Sequence, residues 1–169
     1  MIHVKMADGI EELGCYENYW LDKDMENMGY LFEYCEKYCR QLYDNNIKLD
    51  KIKFLTNFMK SDIRKLMDIG WPNLISQAAI DSCRKFIEVD NQGSLEEYRL
   101  LPDKKQVKYK HSQLYWVGWI YAYIHFTSKK LSKDIVEKLP IKEMLIDYKC
   151  GHEMSKEVYY DKIKWIFEK

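Results

Sequence analysis

Residues 114–126 read Leu-Tyr-Trp-Val-Gly-Trp-Ile-Tyr-Ala-Tyr-Ile-His-Phe, a run of 13 residues with no Asp, Glu, Lys or Arg. Crossing a bilayer as a helix takes roughly 20 apolar residues, so this stretch is too short to be a membrane anchor. A helix that is apolar nearly all round belongs at the centre of a helical domain, packed on several sides. Gly118 inside it lets a neighbouring helix come close, at a cost of about 1 kcal/mol relative to Ala.

Helical spacing continues on both sides of this segment. Toward the C-terminus, Ser132 is a good N-cap for a short helix whose face is Ile135, Val136 and Leu139, and Pro140 ends it. Ile141, Met144, Leu145 and Tyr148 form the next face, with Gly151 as its expected C-cap. Val158, Ile163, Ile166 and Phe167 give the last helix its apolar side. Toward the N-terminus, Leu31, Cys35, Tyr38 and Leu42 recur at spacings of 4, 3 and 4, widened by Phe32 and Cys39. After Asp50, the residues Ile52, Leu55, Phe58 and Met59 share a face that continues through Ile63 and Leu66 to Gly70. One long helix or two short ones fit that span. Pro72 suits the first turn of another helix, with Ile75, Ala79, Cys83 and Phe86 on its buried side. From 94 to 110 the helical period is lost, and a short hairpin near 98–109 or a plain loop is expected. The fold expectation is therefore an all-α, single-domain bundle of six or seven helices around an aromatic core. It spans 30–169 and is preceded by an acidic, aromatic, irregular arm over 1–29.

Chain totals agree with a folded domain: 169 residues, 47% hydrophobic and 15% aromatic, with only seven Gly and three Pro. The five cysteines are an odd number, and no leader-like segment precedes them, which implies reduced thiols in a cytoplasm. Net charge is zero but unevenly placed: residues 1–50 hold 5 Lys/Arg against 11 Asp/Glu, and the basic excess lies in the remainder. An acidic end and a basic body attract each other, or partners of opposite sign.

No constellation carries a recognisable chemistry. Cys35 and Cys39 share a helical face, and Cys150 with His152 would complete four ligands. Structural zinc sites use tighter loop knuckles, however, so the two helical thiols are read as core. His152-Glu153 begins a metalloprotease motif, but Lys156 stands where the second His is required. His125 on the apolar helix reads as a satisfied core histidine. The glycines form no nucleotide-binding pattern. Lys104, Lys105, Lys108, Lys110 and His111 around Tyr109, with Lys129, Lys130 and Lys133, form a basic region read as solvated loop. Catalytic residues, metal and cofactor are all expected to be absent.

The singled-out feature is the arm, where Tyr16, Tyr19 and Trp20 alternate with Glu12, Glu17 and Asp22. Tyr and Trp are favoured interface anchors, and carboxylates steer toward basic partners. The alternative reading folds this segment back over the basic body.

Two stretches carry a resemblance. The first runs from Phe58-Met59-Lys60-Ser61 through Gly70-Trp71-Pro72 to Ser76-Gln77-Ala78-Ala79. The second is Tyr115-Trp116-Val117-Gly118-Trp119 with Tyr123, Thr127, Ile135, Tyr148 and His152-Glu153. Together, over about residues 54–155, they resemble a family of small, largely uncharacterised bacterial all-helical proteins encoded beside toxin-like genes, including an ADP-ribosyltransferase-like type. The resemblance implies an antitoxin that binds a cognate toxin protein directly, with Ser61, Tyr115, Trp116, Gly118, Tyr148, His152 and Glu153 as its motif residues. It supplies no catalytic residue. Two further readings are a DNA-binding regulator of its own operon using Lys104–Lys133, and a small helical enzyme assembled from His125, Cys150, His152 and Glu153.

Overall fold

A computed structural model describes residues 15–105 and 109–168. Its α-helices are α1 (Leu21–Leu42), α2 (Lys51–Lys60), α3 (Asp62–Asp68), α4 (Pro72–Ile75), α5 (Ala79–Lys85), α6 (His111–Ser128), α7 (Ser132–Lys138), α8 (Ile141–Gly151) and α9 (Lys156–Ile163). Short 3-10 turns precede α1 and follow α9, and α5 runs on into a π turn at Phe86–Asp90. No strand occurs among the described residues, so the all-α expectation holds.

The apolar run lies at the centre. Val117, Ile120, Tyr121, Ala122 and Ile124 of α6 are wholly buried. α6 packs along α1, and α8 and α9 also pack on it. Two glycines set the α1–α6 crossing. A Cβ on Gly118 would run into the Met28 carbonyl of α1, and one on Gly29 would meet the Tyr115 ring at 2.5 Å. The close approach expected from Gly118 is thus observed, with Gly29 as its counterpart. A second aromatic group, Phe54, Phe58, Phe86 and Tyr98, packs edge-to-face, with Phe54 and Tyr98 centroids 5.1 Å apart. Such pairs each add about 0.5–1.5 kcal/mol beyond area burial.

The structure corrects several local expectations. The segment preceding residue 30 is not wholly irregular: α1 starts at Leu21, and its first turns carry Met25 and Met28 into the core. The 51–70 span forms two helices because Ser61 ends one and begins the next. Its hydroxyl donates to the Phe58 carbonyl at 2.7 Å and accepts from the Arg64 N–H at 3.1 Å. This division, with α4 separate from α5, raises the α-helix count to nine among the described residues. The expected hairpin at 98–109 is absent among the described residues; Arg99 instead forms one antiparallel bridge to Leu49. Gly151 closes α8 as its last helical residue, and its missing side chain makes room for Trp116 and Tyr159. Ser132 does not cap α7 either. Its N–H and hydroxyl both donate to the Asp68 carboxylate, each at 2.7 Å, so Asp68 caps that helix from outside.

Candidate functional site

The segment leading into α1 is tied down from beneath. The Tyr16 N–H donates to the Asp68 carbonyl at 3.1 Å, and its hydroxyl donates to Asp24 Oδ2 at 2.7 Å. The Tyr16 ring packs against His125 and Phe126. Tyr16 is therefore an anchor, buried in the core rather than presented to a partner. Gly70, at φ 77°, admits it: a Cβ there would sit 2.7 Å from that of Tyr16.

Above this anchor, Tyr19 is 69% exposed and its ring lies 4.5 Å from that of the half-buried Trp20. Glu17 and Asp22 beside them are exposed. Glu12 lies outside the described residues. A cleft of about 400 Å³ opens between Cys15–Trp20 and Ile69–Gly70. Farther along α1, Tyr30, Tyr34 and Tyr38 follow one another at i, i+4 and i+8, with consecutive ring centroids 6.2 and 6.1 Å apart. Tyr115 of α6 packs edge-on against Tyr30 at 5.5 Å. Burial, then neighbouring Tyr30, Glu26 and Glu33, keep the Tyr115 phenol above its ordinary value. From 17 to 33 the only basic residue is Lys23, against Glu17, Asp22, Asp24, Glu26 and Glu33.

Asp24, however, is withdrawn from that surface. It is wholly buried and receives Arg64 Nη1 on Oδ1 at 2.7 Å and Nη2 on Oδ2 at 2.9 Å. Arg64 Nε also lies 2.8 Å from Asp68 Oδ1 and donates to the Ser132 hydroxyl at 3.0 Å. His125 completes the cluster, with Nδ1 2.6 Å from the Lys130 carbonyl and Nε2 2.9 Å from that of Asp68. Carbonyl oxygens only accept, so both ring nitrogens must donate and the imidazole is cationic. Burial opposes that charge, but the Asp68 carboxylate and the Cys15 sulfur, 3.4 Å from Nε2, raise the His125 pKa to about 9. Burial likewise opposes the Asp24 charge, yet Arg64 outweighs it and holds the carboxyl below its ordinary value. Two cations and two carboxylates thus balance inside the protein. Their effect is to lock the approach to α1, α3, the end of α6 and the start of α7 into one arrangement.

The motif residues have structural roles. Ser61 joins α2 to α3, Tyr115 fills the space above Gly29, and Gly118 receives α1. Trp116 is buried edge-on between Tyr148 and Tyr159. Tyr148 donates to the Ser112 hydroxyl at 3.1 Å and stacks on His152, whose Nδ1 lies 2.5 Å from the Tyr148 carbonyl. Glu153 is exposed. The enzyme constellation does not converge: His125 is wholly buried, whereas Cys150, His152 and Glu153 are exposed. Cys35 and Cys39 lie in the core, and no group of three or more His, Cys, Asp or Glu is placed to hold a metal among the described residues. The lysines split between clefts, with Lys104 and Lys105 in one and Lys133 in another.

The buried cluster was not legible beforehand. Asp24 lies within the acidic arm of the sequence, and the apolar spacing from Ile52 to Leu66 says nothing of Arg64 or Asp68. The available signal was their i,i+4 spacing directly beside Ile63 and Met67. No known protein family, curated protein or solved structure matches the chain.

Proposed function

We propose that the chain is an antitoxin-like binding protein that neutralises a basic protein partner through the acidic, aromatic face at the start of α1. The observation that carries this reading is Tyr19, exposed beside Trp20 and flanked by Glu17 and Asp22, on a segment held rigidly from below by Tyr16. A preorganised aromatic anchor loses little conformational entropy on binding, and surrounding carboxylates accelerate encounter with a basic surface. Farther along α1, the Tyr30–Tyr34–Tyr38 row offers further aromatic side chains. The reading assigns no reaction to the chain and no cofactor. Five free thiols suit a reducing compartment, which supports a cytoplasmic partner in this reading.

The experiment is co-expression with products of neighbouring genes, scoring toxicity of each alone and with the chain, followed by affinity capture. A stable complex with rescue of growth supports the proposal. Tyr19→Ala combined with Asp22→Lys should then weaken the complex by about 2 kcal/mol, roughly thirtyfold in Kd, with thermal stability unchanged. A complex that survives this double substitution at full affinity puts the interface elsewhere. Absence of any toxic neighbour and of any complex removes the antitoxin reading.

A further inference from the structure

Four lysines far apart in sequence line one cleft of about 310 Å³: Lys53 from α2, Lys104 and Lys105 from the 99–105 segment, and Lys142 from the first turn of α8. Against them stands a single carboxylate in the lining, Asp50. Asp50 Oδ2 lies 2.6 Å from Lys104 Nζ, and Lys53 Nζ donates to the Glu97 carbonyl at 3.0 Å. These contacts hold two of the ammonium groups at the cleft. Among the described residues, neither Lys105 nor Lys142 has an ion-pair partner, and both are exposed. The half-buried Tyr109 and Ile52 add an aromatic and an aliphatic wall. α8 has 11 residues, and the positive end of its macrodipole lies at the turn that carries Lys142.

We propose that this cleft binds a free nucleoside di- or triphosphate. Four ammonium groups against one carboxylate call for a ligand with several negative charges. Lysines act as point charges that suit a flexible polyphosphate, whereas flat, bidentate recognition of one carboxylate would favour Arg. The volume exceeds the needs of inorganic phosphate and lies at the lower end of the range for small-molecule sites. Tyr109 in the lining supplies an aromatic ring for the base to stack on, a contact every base can make. The site is separate from the acidic face of α1 and does not depend on the antitoxin reading.

The test is calorimetric titration of the full chain with ATP, with tripolyphosphate, and with a single-stranded 12-nucleotide DNA. ATP should bind, and Lys105→Glu with Lys142→Glu should weaken it at least tenfold while leaving the unfolding midpoint in place. Tyr109→Ala should weaken ATP several-fold and leave tripolyphosphate unchanged, which separates a ring contact from charge alone. No ATP binding at millimolar concentration, or equal affinity in the double-lysine variant, overturns the proposal. Tripolyphosphate binding as tightly as ATP overturns the nucleotide assignment. DNA binding more than tenfold tighter than ATP overturns it in favour of a nucleic-acid strand.

Discussion

Arg64 grips Asp24 with two parallel N–H···O bonds, 2.7 and 2.9 Å long, between residues 40 positions apart and wholly shielded from water. Burying such a pair costs desolvation of both ions, and the return comes only while both partners and their further hydrogen bonds are present. Arg64→Leu would leave Asp24 and Asp68 facing each other's surroundings with only His125 to balance them. The expected loss is about 3–5 kcal/mol of folding stability, measured by urea unfolding. A loss below about 1 kcal/mol would mean the carboxylates reach water or take up protons at little cost.

His125 gives the cluster a pH signature. Its pKa is about 9 in the folded protein and about 6.5 when unfolded. Because the folded value is the higher, the stabilisation is complete below pH 6.5 and is lost as pH rises through 9. Over that window roughly 3 kcal/mol is at stake. Urea midpoints should therefore fall from pH 6.5 to pH 9.5 in the wild type. His125→Gln should start lower and fall less over the same window, its remaining slope coming from Cys35 and Cys83, whose thiols are raised in the fold and ionise first in the unfolded chain. A wild-type midpoint that is flat or rising there would contradict a charged imidazole.

Periodicity reads the skeleton well because it reports apolar burial. The 114–126 run is central, and the Leu31–Leu42 stripe lies on α1. The Asp50 N-cap is where the apolar pattern begins, accepting from the Lys53 N–H at 3.3 Å. Polar burial leaves no such trace. Asp24 looks like one more carboxylate of an acidic arm, and only the fold reveals that Arg64 reaches it. Ser132 shows the same limit from another side. It stands where a cap belongs, but Asp68 arrives from α3 to cap α7 and turns the hydroxyl inward. Tyr19 and Tyr16 are indistinguishable by residue type and charge context, yet one is exposed and the other holds the segment in place. The clefts, too, depend on which distant residues meet, as Lys53, Lys105 and Lys142 do.

The paired glycines of the α1–α6 crossing should respond unequally to the same change. In an exposed helix, Gly→Ala stabilises by about 1 kcal/mol. At Gly118 the added methyl meets the Met28 backbone carbonyl, which cannot rotate away, so α1 must shift. Gly118→Ala should destabilise by about 1–3 kcal/mol net. At Gly29 the obstacle is the ring of half-buried Tyr115, a side chain that can change rotamer where a backbone carbonyl cannot. Gly29→Ala should therefore cost less, and thermal unfolding of the two variants side by side gives the order. Equal losses would show that the Tyr115 ring is as fixed as the backbone.

The thiols should separate by depth when the native protein is titrated with a disulfide reagent. Cys150 is exposed and should react first. Cys15 is half-buried and should follow more slowly, since its sulfur lies behind the Tyr16 segment against His125. Cys35, Cys39 and Cys83 lie together in the core, and reaction requires the thiolate. Burial and then the neighbouring Cys39 push the Cys35 thiol up, while a hydrogen bond with Cys39 and then burial do the same for Cys83. These three should therefore stay silent until unfolding, when all five titrate. Their release should coincide with loss of helical signal in urea, because α1 and α5 cannot expose them separately without breaking the core between them. Rapid labelling of a third thiol in the folded state would instead show that α5 opens independently of α1.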